Sequence, residues 1–129
     1  KRLAMQFLVI LTDTDPLVWR QIQVPERYSF WDLHVAIQDA MGWLDCHLHE
    51  FQVLHPEKRT IDVLGIPDDE GFTDEENCLP DWEQPIATYF NPTSSTSPHE
   101  TLPARYLYDF GDNWRHIVLL EGIFACLTG

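Results

Sequence analysis

Basic residues are scarce in this chain. Eight Lys and Arg stand against 21 Asp and Glu in 129 residues, a formal net charge of −13. Nucleic-acid binding rests on Lys and Arg neutralising phosphates, and no window of the sequence holds three consecutive basic residues. Direct nucleic-acid binding and docking on anionic membranes are therefore disfavoured. Cysteine is also sparse: Cys46, Cys78 and Cys126 are widely spaced and form no C-x-x-C pair. That argues against a zinc ribbon, a thioredoxin-type motif and a disulfide framework, and a reducing, cytoplasmic setting is the expectation. The longest strictly apolar run is five residues, "FLVIL", too short to span a bilayer. The opening "KRLAMQFLVIL" has no small-residue cleavage site and reads as a strand, not a signal peptide. The six glycines are scattered, so no phosphate-cradling loop is present. The serines sit at Ser29, Ser94, Ser95 and Ser97, none on a G-x-S-x-G turn, and triad chemistry lacks a nucleophile.

What the chain does have is apolar and aromatic content. Hydrophobic residues make up 44% and aromatics 12%, which at this length predicts one domain with a real core. Leu3 to Leu11 is β-prone. Asp13 to Pro16 reads as a turn. Val18 to Val24 alternates, with Val18, Arg20, Ile22 and Val24 on one side, as a half-buried hairpin partner would. Arg20 on that apolar side is expected near a strand end or against a carboxylate. Ser29 followed by Asp32 resembles a capping box. Phe30, Leu33, Ile37, Ala40 and Met41 then repeat at helical spacing, and Gly42 stands where a helix-ending glycine belongs. The spacing predicts an amphipathic helix over Phe30 to Met41, with His34 and Gln38 on its flank.

Beyond Trp43, "CHLHEFQVL" places His47, His49 and Phe51 on one face of a strand running to about Leu54. Lys58 to Val63 is expected to return after a turn at Pro56. Residues from about 65 to 104 hold an acidic run, "PDDEGFTDEEN", and a Ser/Thr/Pro run, "NPTSSTSPHE", and read as a long loop. A short helix is expected inside it between Asp81 and Phe90, weakened by Pro85. Arg105 to Phe110 and Trp114 to Glu121 are strands of a C-terminal hairpin joined by Gly-Asp-Asn. The last residues, "GIFACLTG", look like the start of a further element.

The densest chemistry lies in "YLYDFGDNWRH". With a two-residue loop at Asp112 and Asn113, Asp109 faces His116. A one-residue change of register pairs it with Arg115 instead. Asp112 is expected to cap the turn. His47 and His49, two residues apart, with Asp109 and His116, make an N/O set suited to zinc, iron or manganese, although no H-E-x-x-H signature accompanies it. The competing explanation is local hydrogen bonding at a strand start and within a hairpin. Trp43, Trp82 and Trp114 are candidates for an exposed aromatic platform.

Three blocks in order, "DPLVWRQIQVPERYSFWDLHVAIQDAMGW", "CHLHEF" and "YLYDFGDNWRHIVLLE", resemble the plasmid pRiA ORF-three-like family, also described as insertion-element passenger proteins. The resemblance covers most of the chain except residues 65–103. It implies an α+β domain and a mobile-element context, but no activity. It also implies that the family pattern continues past "ACLTG" into a segment this sequence does not contain.

Together these features predict a single domain over residues 1–129. Its fold class is α+β: a mixed, mainly antiparallel sheet with two opening strands, one main amphipathic helix on a face, and later strands including a C-terminal hairpin. The leading functional expectation is a non-catalytic module that binds a protein or small ligand through Tyr108, Asp109, Asp112, Trp114, His116, His47, His49 and Trp43, with no cofactor. The alternative is a metal-dependent enzyme using His47, His49, Asp109 and His116 with a divalent ion.

Overall fold

The computed structural model describes residues 2–67, 78–91 and 102–125. The acidic run and the Ser/Thr/Pro run, apart from their first residues, lie outside these, as does Cys126. The elements are β1 (Leu3–Leu11), β2 (Val18–Pro25), α1 (Phe30–Met41), β3 (His49–Leu54), β4 (Ile61–Gly65), β5 (Cys78–Pro80), a 3-10 turn (Asp81–Glu83), α2 (Ile86–Tyr89), β6 (Ala104–Tyr108) and β7 (Trp114–Ala125). The strands form one seven-stranded sheet in the order β2-β1-β7-β6-β3-β4-β5. Every pairing is antiparallel except β4 with β5. The architecture is α+β, with one main helix.

The period-two pattern of β1 decides which face is covered. Met5, Phe7, Val9 and Leu11 are buried, and the residues between them are half-exposed. Register carries that face across the sheet: Leu11 lies opposite His116, His116 opposite Tyr106, Tyr106 opposite Phe51, and Phe51 opposite Leu64. Over this row packs α1, burying Phe30, Leu33 and Ile37 completely. Phe30 meets Phe51 and Tyr89 edge-on at 5.0 and 5.3 Å. Truncating it to Ala would cost about 3–5 kcal/mol, as for other large aromatic core residues.

The ends of α1 match the sequence. Ser29 and Asp32 form a reciprocal capping box, and Gly42 adopts the left-handed conformation at φ 77°. Arg20 lies near the start of β2 and has no carboxylate partner among the described residues. It donates to the Ala40 and Trp19 carbonyls, placing a cation at the carbonyl-rich end of α1, where the helix dipole favours it. The opposite sheet face is mixed: Leu8, Ile10, Trp19, Ile117 and Leu119 lie on it beside a polar patch. Gln23 donates to Gln6, and Gln6 and Gln21 both donate to Glu121. Glu121 is the extra residue where the β1–β7 register shifts.

Several boundaries differ from expectation. β3 begins at His49, so His47 precedes the strand. The return strand β4 runs from Ile61 to Gly65, not from Lys58. Between Asp81 and Phe90 the chain forms two short helical pieces instead of one, because Pro85 has no N–H to continue a helix. β5 was not anticipated; three residues carry too little periodicity to announce a strand. The C-terminal hairpin closes as Tyr108 opposite Trp114, so Asp109 faces neither His116 nor Arg115. Asp109 and Asn113 both take positive φ, 63° and 62°, a conformation that short polar side chains tolerate. Finally, "GIFA" starts no further element: β7 runs on to Ala125.

Candidate functional site

Two adjoining arrangements collect the chemistry of this chain: a buried polar cluster under α1 and an open aromatic cleft beside it.

The cluster starts from a helical pattern with two polar members. Phe30, Leu33, His34, Ile37 and Gln38 share the buried stripe of α1, so His34 and Gln38 enter the core and do not lie on its flank. Their partners close a circuit. The Asp45 backbone N–H donates to Gln38 Oε1 at 2.9 Å, which orients the amide. Gln38 Nε2 then donates to the Tyr106 hydroxyl at 2.9 Å. That hydroxyl lies 2.6 Å from His34 Nδ1, and His34 Nε2 lies 2.9 Å from Asp45 Oδ1. Donor and acceptor counting gives one consistent assignment: the tyrosine proton points at Nδ1, and Nε2–H points at the carboxylate. His34 is therefore neutral. Burial, then the neighbouring His49, hold its pKa down to about 4, against the opposing pull of Asp45. Burial likewise pushes the Tyr106 hydroxyl well above its ordinary value.

Next to this circuit, His49 stacks on His34 and points Nε2 at Asp81 Oδ2, 2.6 Å away. Asp81 is fully buried, and its Oδ1 has no hydrogen-bond partner among the described residues. His116 is buried on the neighbouring strand. Its Nδ1–H donates to the Tyr106 carbonyl at 3.1 Å, and its Nε2 accepts from the Trp43 indole at 3.3 Å. Those two bonds fix a neutral tautomer, and burial lowers its pKa.

The cleft is lined by Gly42, Trp43, Leu44, Cys46, His47, Tyr108, Asp109, Asp112 and Trp114 and encloses about 340 Å³. The Trp43 ring lies 5.7 Å from Tyr108 and 5.6 Å from Trp114. The Tyr108 hydroxyl accepts the Cys46 N–H at 2.9 Å, holding the lip in place. Asp109 shapes the hairpin end. Its Oδ1 accepts the Gly111 and Asp112 N–H groups, and its Oδ2 is 3.6 Å from His47 Nε2. Asp109, not Asp112, thus makes the Asx-type turn.

Of the eight residues proposed from sequence, six line this cleft: Trp43, His47, Tyr108, Asp109, Asp112 and Trp114. His49 and His116 lie buried behind it, each with its own partner. His47, His49, Asp109 and His116 are distributed over three pairings: His47 with Asp109, His49 with Asp81, and His116 with Trp43. Trp82 is exposed in the 3-10 turn and is not among the lining residues. His34, Gln38, Asp45, Asp81 and Tyr106 lie outside the candidate set that the sequence suggests. For His34 and Gln38 a signal existed, since both occupy stripe positions of an otherwise apolar helical face.

The comparisons agree with this architecture. The chain belongs to the plasmid pRiA4b ORF-3-like protein family, whose model matches residues 3–127. It is 34% identical over 122 residues to the uncharacterized protein y4hQ of Sinorhizobium fredii (strain NBRC 101917 / NGR234), an alignment covering 92% of this chain and 54% of that protein. It superposes with a TM-score of 0.81 and 34% identity on a protein of unknown function, MM3350 from Methanosarcina mazei Go1. That match covers 99% of this chain and 64% of the other. The chain thus spans between half and two thirds of these relatives. Among the described residues, no helix is long and apolar enough to cross a membrane.

Proposed function

We propose that this domain is a non-catalytic binding module whose cleft takes a cationic group, such as an arginine or lysine side chain of a protein partner or a small cationic ligand. The observation that carries this reading is the combination of Trp43, Tyr108 and Trp114 with Asp109 and Asp112 around one opening. Aromatic faces attract cations through the ring quadrupole, most strongly where water is partly excluded. Carboxylates at the rim add attraction and steer the encounter. The net charge of −13 favours the same class of partner over nucleic acid. A role within a mobile-element or cytoplasmic setting fits this reading and rests on the family resemblance and on cysteine usage.

The test is a titration of the chain with short Arg- or Lys-rich peptides, followed by tryptophan fluorescence, with acidic peptides of equal length as controls. Saturable binding that weakens with salt supports the module. Equal response to acidic and basic peptides, or none to either, would overturn it.

A further inference from the structure

Three buried ionisable side chains lie beneath α1, His34 from the helix, His49 from β3 and Asp81 from the 3-10 turn, and Asp45, from the connection after the helix, meets them from the solvent side with its side chain 40% exposed. One donor atom each from His34, Asp45 and His49 lie within 4.8 Å of one another. Asp81 joins them through His49, 2.6 Å from its Nε2. We propose that this cluster is a divalent transition-metal site of the zinc class, with His34 Nε2, His49 Nε2 and the Asp45 and Asp81 carboxylates as donors.

Chemistry and burial support this. Two imidazoles and two carboxylates are a donor set that zinc accepts in tetrahedral geometry. Two carboxylates balance the charge of a divalent ion, so the filled site carries no net charge into the interior. Asp81 Oδ1 is the independent sign. It is a fully buried carboxylate oxygen with no partner among the described residues, an arrangement that costs free energy unless something supplies positive charge. Outer support is also present. A metal on His34 Nε2 requires the proton on Nδ1, which would then donate to the Tyr106 oxygen 2.6 Å away and turn the phenol proton out of the position it holds in the metal-free chain. Gln38 holds that same oxygen from the other side. A ligating histidine normally has such a partner on its second nitrogen.

Imidazole lone pairs lie in the ring plane, while the two rings stand only 9° from parallel at 3.5 Å. Binding therefore turns the rings out of their stack. Trp31, whose ring lies 5.0 Å from His34 and 5.8 Å from His49, would report the turn.

The test uses the chain made without a histidine tag, stripped by a chelator and titrated with Zn²⁺ alone against a chromophoric chelator. One zinc per chain is expected, with a change in Trp31 fluorescence. Asp45→Asn and His49→Gln should each weaken binding by more than about 100-fold, and Tyr106→Phe by roughly 10–100-fold, the usual effect of losing an outer partner. His55→Ala should leave it unchanged. Should the buried variants fail to fold, Co²⁺ on the wild type decides: intense tetrahedral d–d bands without thiolate charge transfer support the site, and a weak octahedral spectrum overturns it. Absence of stoichiometric zinc, or binding lost in His47→Ala and retained in Asp45→Asn, would also overturn it.

Discussion

His34 and His49 stack face to face, with ring centroids 3.5 Å apart, and each points its Nε2 at a different carboxylate. Stacked imidazoles tolerate a charge on one ring poorly when the other is charged or the pair is buried. This makes the pair a determinant of acid stability. In the metal-free chain, burial and His49 lower the His34 pKa to about 4, while an unfolded histidine titrates near 6.5. Between these values the unfolded state binds more protons, so stability is complete above about pH 6.5 and falls as pH drops towards about 4. His116, lowered by burial, acts in the same direction. A loss of about 2 kcal/mol is expected between roughly pH 7.5 and pH 5, above most of the carboxylate range. Urea unfolding of the chelator-treated chain at the two pH values measures it, and equal stability would refute the assignment of a neutral His34.

Tyr106→Phe tests the circuit. The hydroxyl takes the Gln38 amide proton and faces His34 Nδ1. Removing it strands a donor and an acceptor in the interior, at a cost of about 2–3 kcal/mol. Gln38→Leu should cost a similar amount, because the Asp45 N–H and the Tyr106 hydroxyl each lose a partner. Since both changes open one circuit, the double variant should be less destabilised than the sum by about 1 kcal/mol or more. Additive losses in denaturant unfolding would mean that the bonds act separately.

How far the sequence discloses this structure depends on the range of the physics. α1 is legible to the residue because its determinants are local: the Ser29–Asp32 box, the stripe from Phe30 to Met41 and the left-handed Gly42. The β1–β2 hairpin is legible for the same reason. The register at Asp109 is not. Two left-handed residues, Asp109 and Asn113, lengthen the connection, and the local bonds to Asp109 Oδ1 are joined by a tertiary one, the Asp109 N–H on the Leu48 carbonyl, that the sequence does not announce. The cleft residues stand out by type, since Tyr108, Asp109, Asp112 and Trp114 crowd aromatics and carboxylates into one short stretch. The buried cluster does not, because Asp45 lies in the connection between α1 and β3 and Asp81 in a three-residue 3-10 turn, and neither stretch carries a periodic pattern that links it to His34 and His49.

Gly42→Ala isolates one local determinant. Nothing lies within 4 Å of where a Cβ would stand, so sterics with the rest of the fold play no part. The φ of 77° remains, and an L side chain is strained there. A loss of about 1 kcal/mol is expected, with the helical circular dichroism of the folded state unchanged. A neutral or stabilising effect would mean that the end of α1 relaxes without consequence for Trp43, which follows it.

The two tryptophans of the cleft separate binding from folding. Trp43 packs on Tyr108 and donates to His116, so Trp43→Phe removes a hydrogen bond that leaves buried His116 Nε2 without a donor and should cost about 1–2 kcal/mol. Trp114 lies at the rim, 38% exposed and outside the core cluster. Trp114→Ala should change stability by less than about 1 kcal/mol, in the range of surface substitutions, while removing an aromatic face worth about 1–2 kcal/mol to a bound cation. At 1.4 kcal/mol per factor of ten, affinity for an arginine-rich peptide should fall about tenfold. Asp112→Asn should act mainly on the association rate and its salt dependence, as rim charges do. If Trp114→Ala lowers stability and leaves peptide affinity unchanged, the aromatic pair serves packing alone and the cleft is not the binding surface.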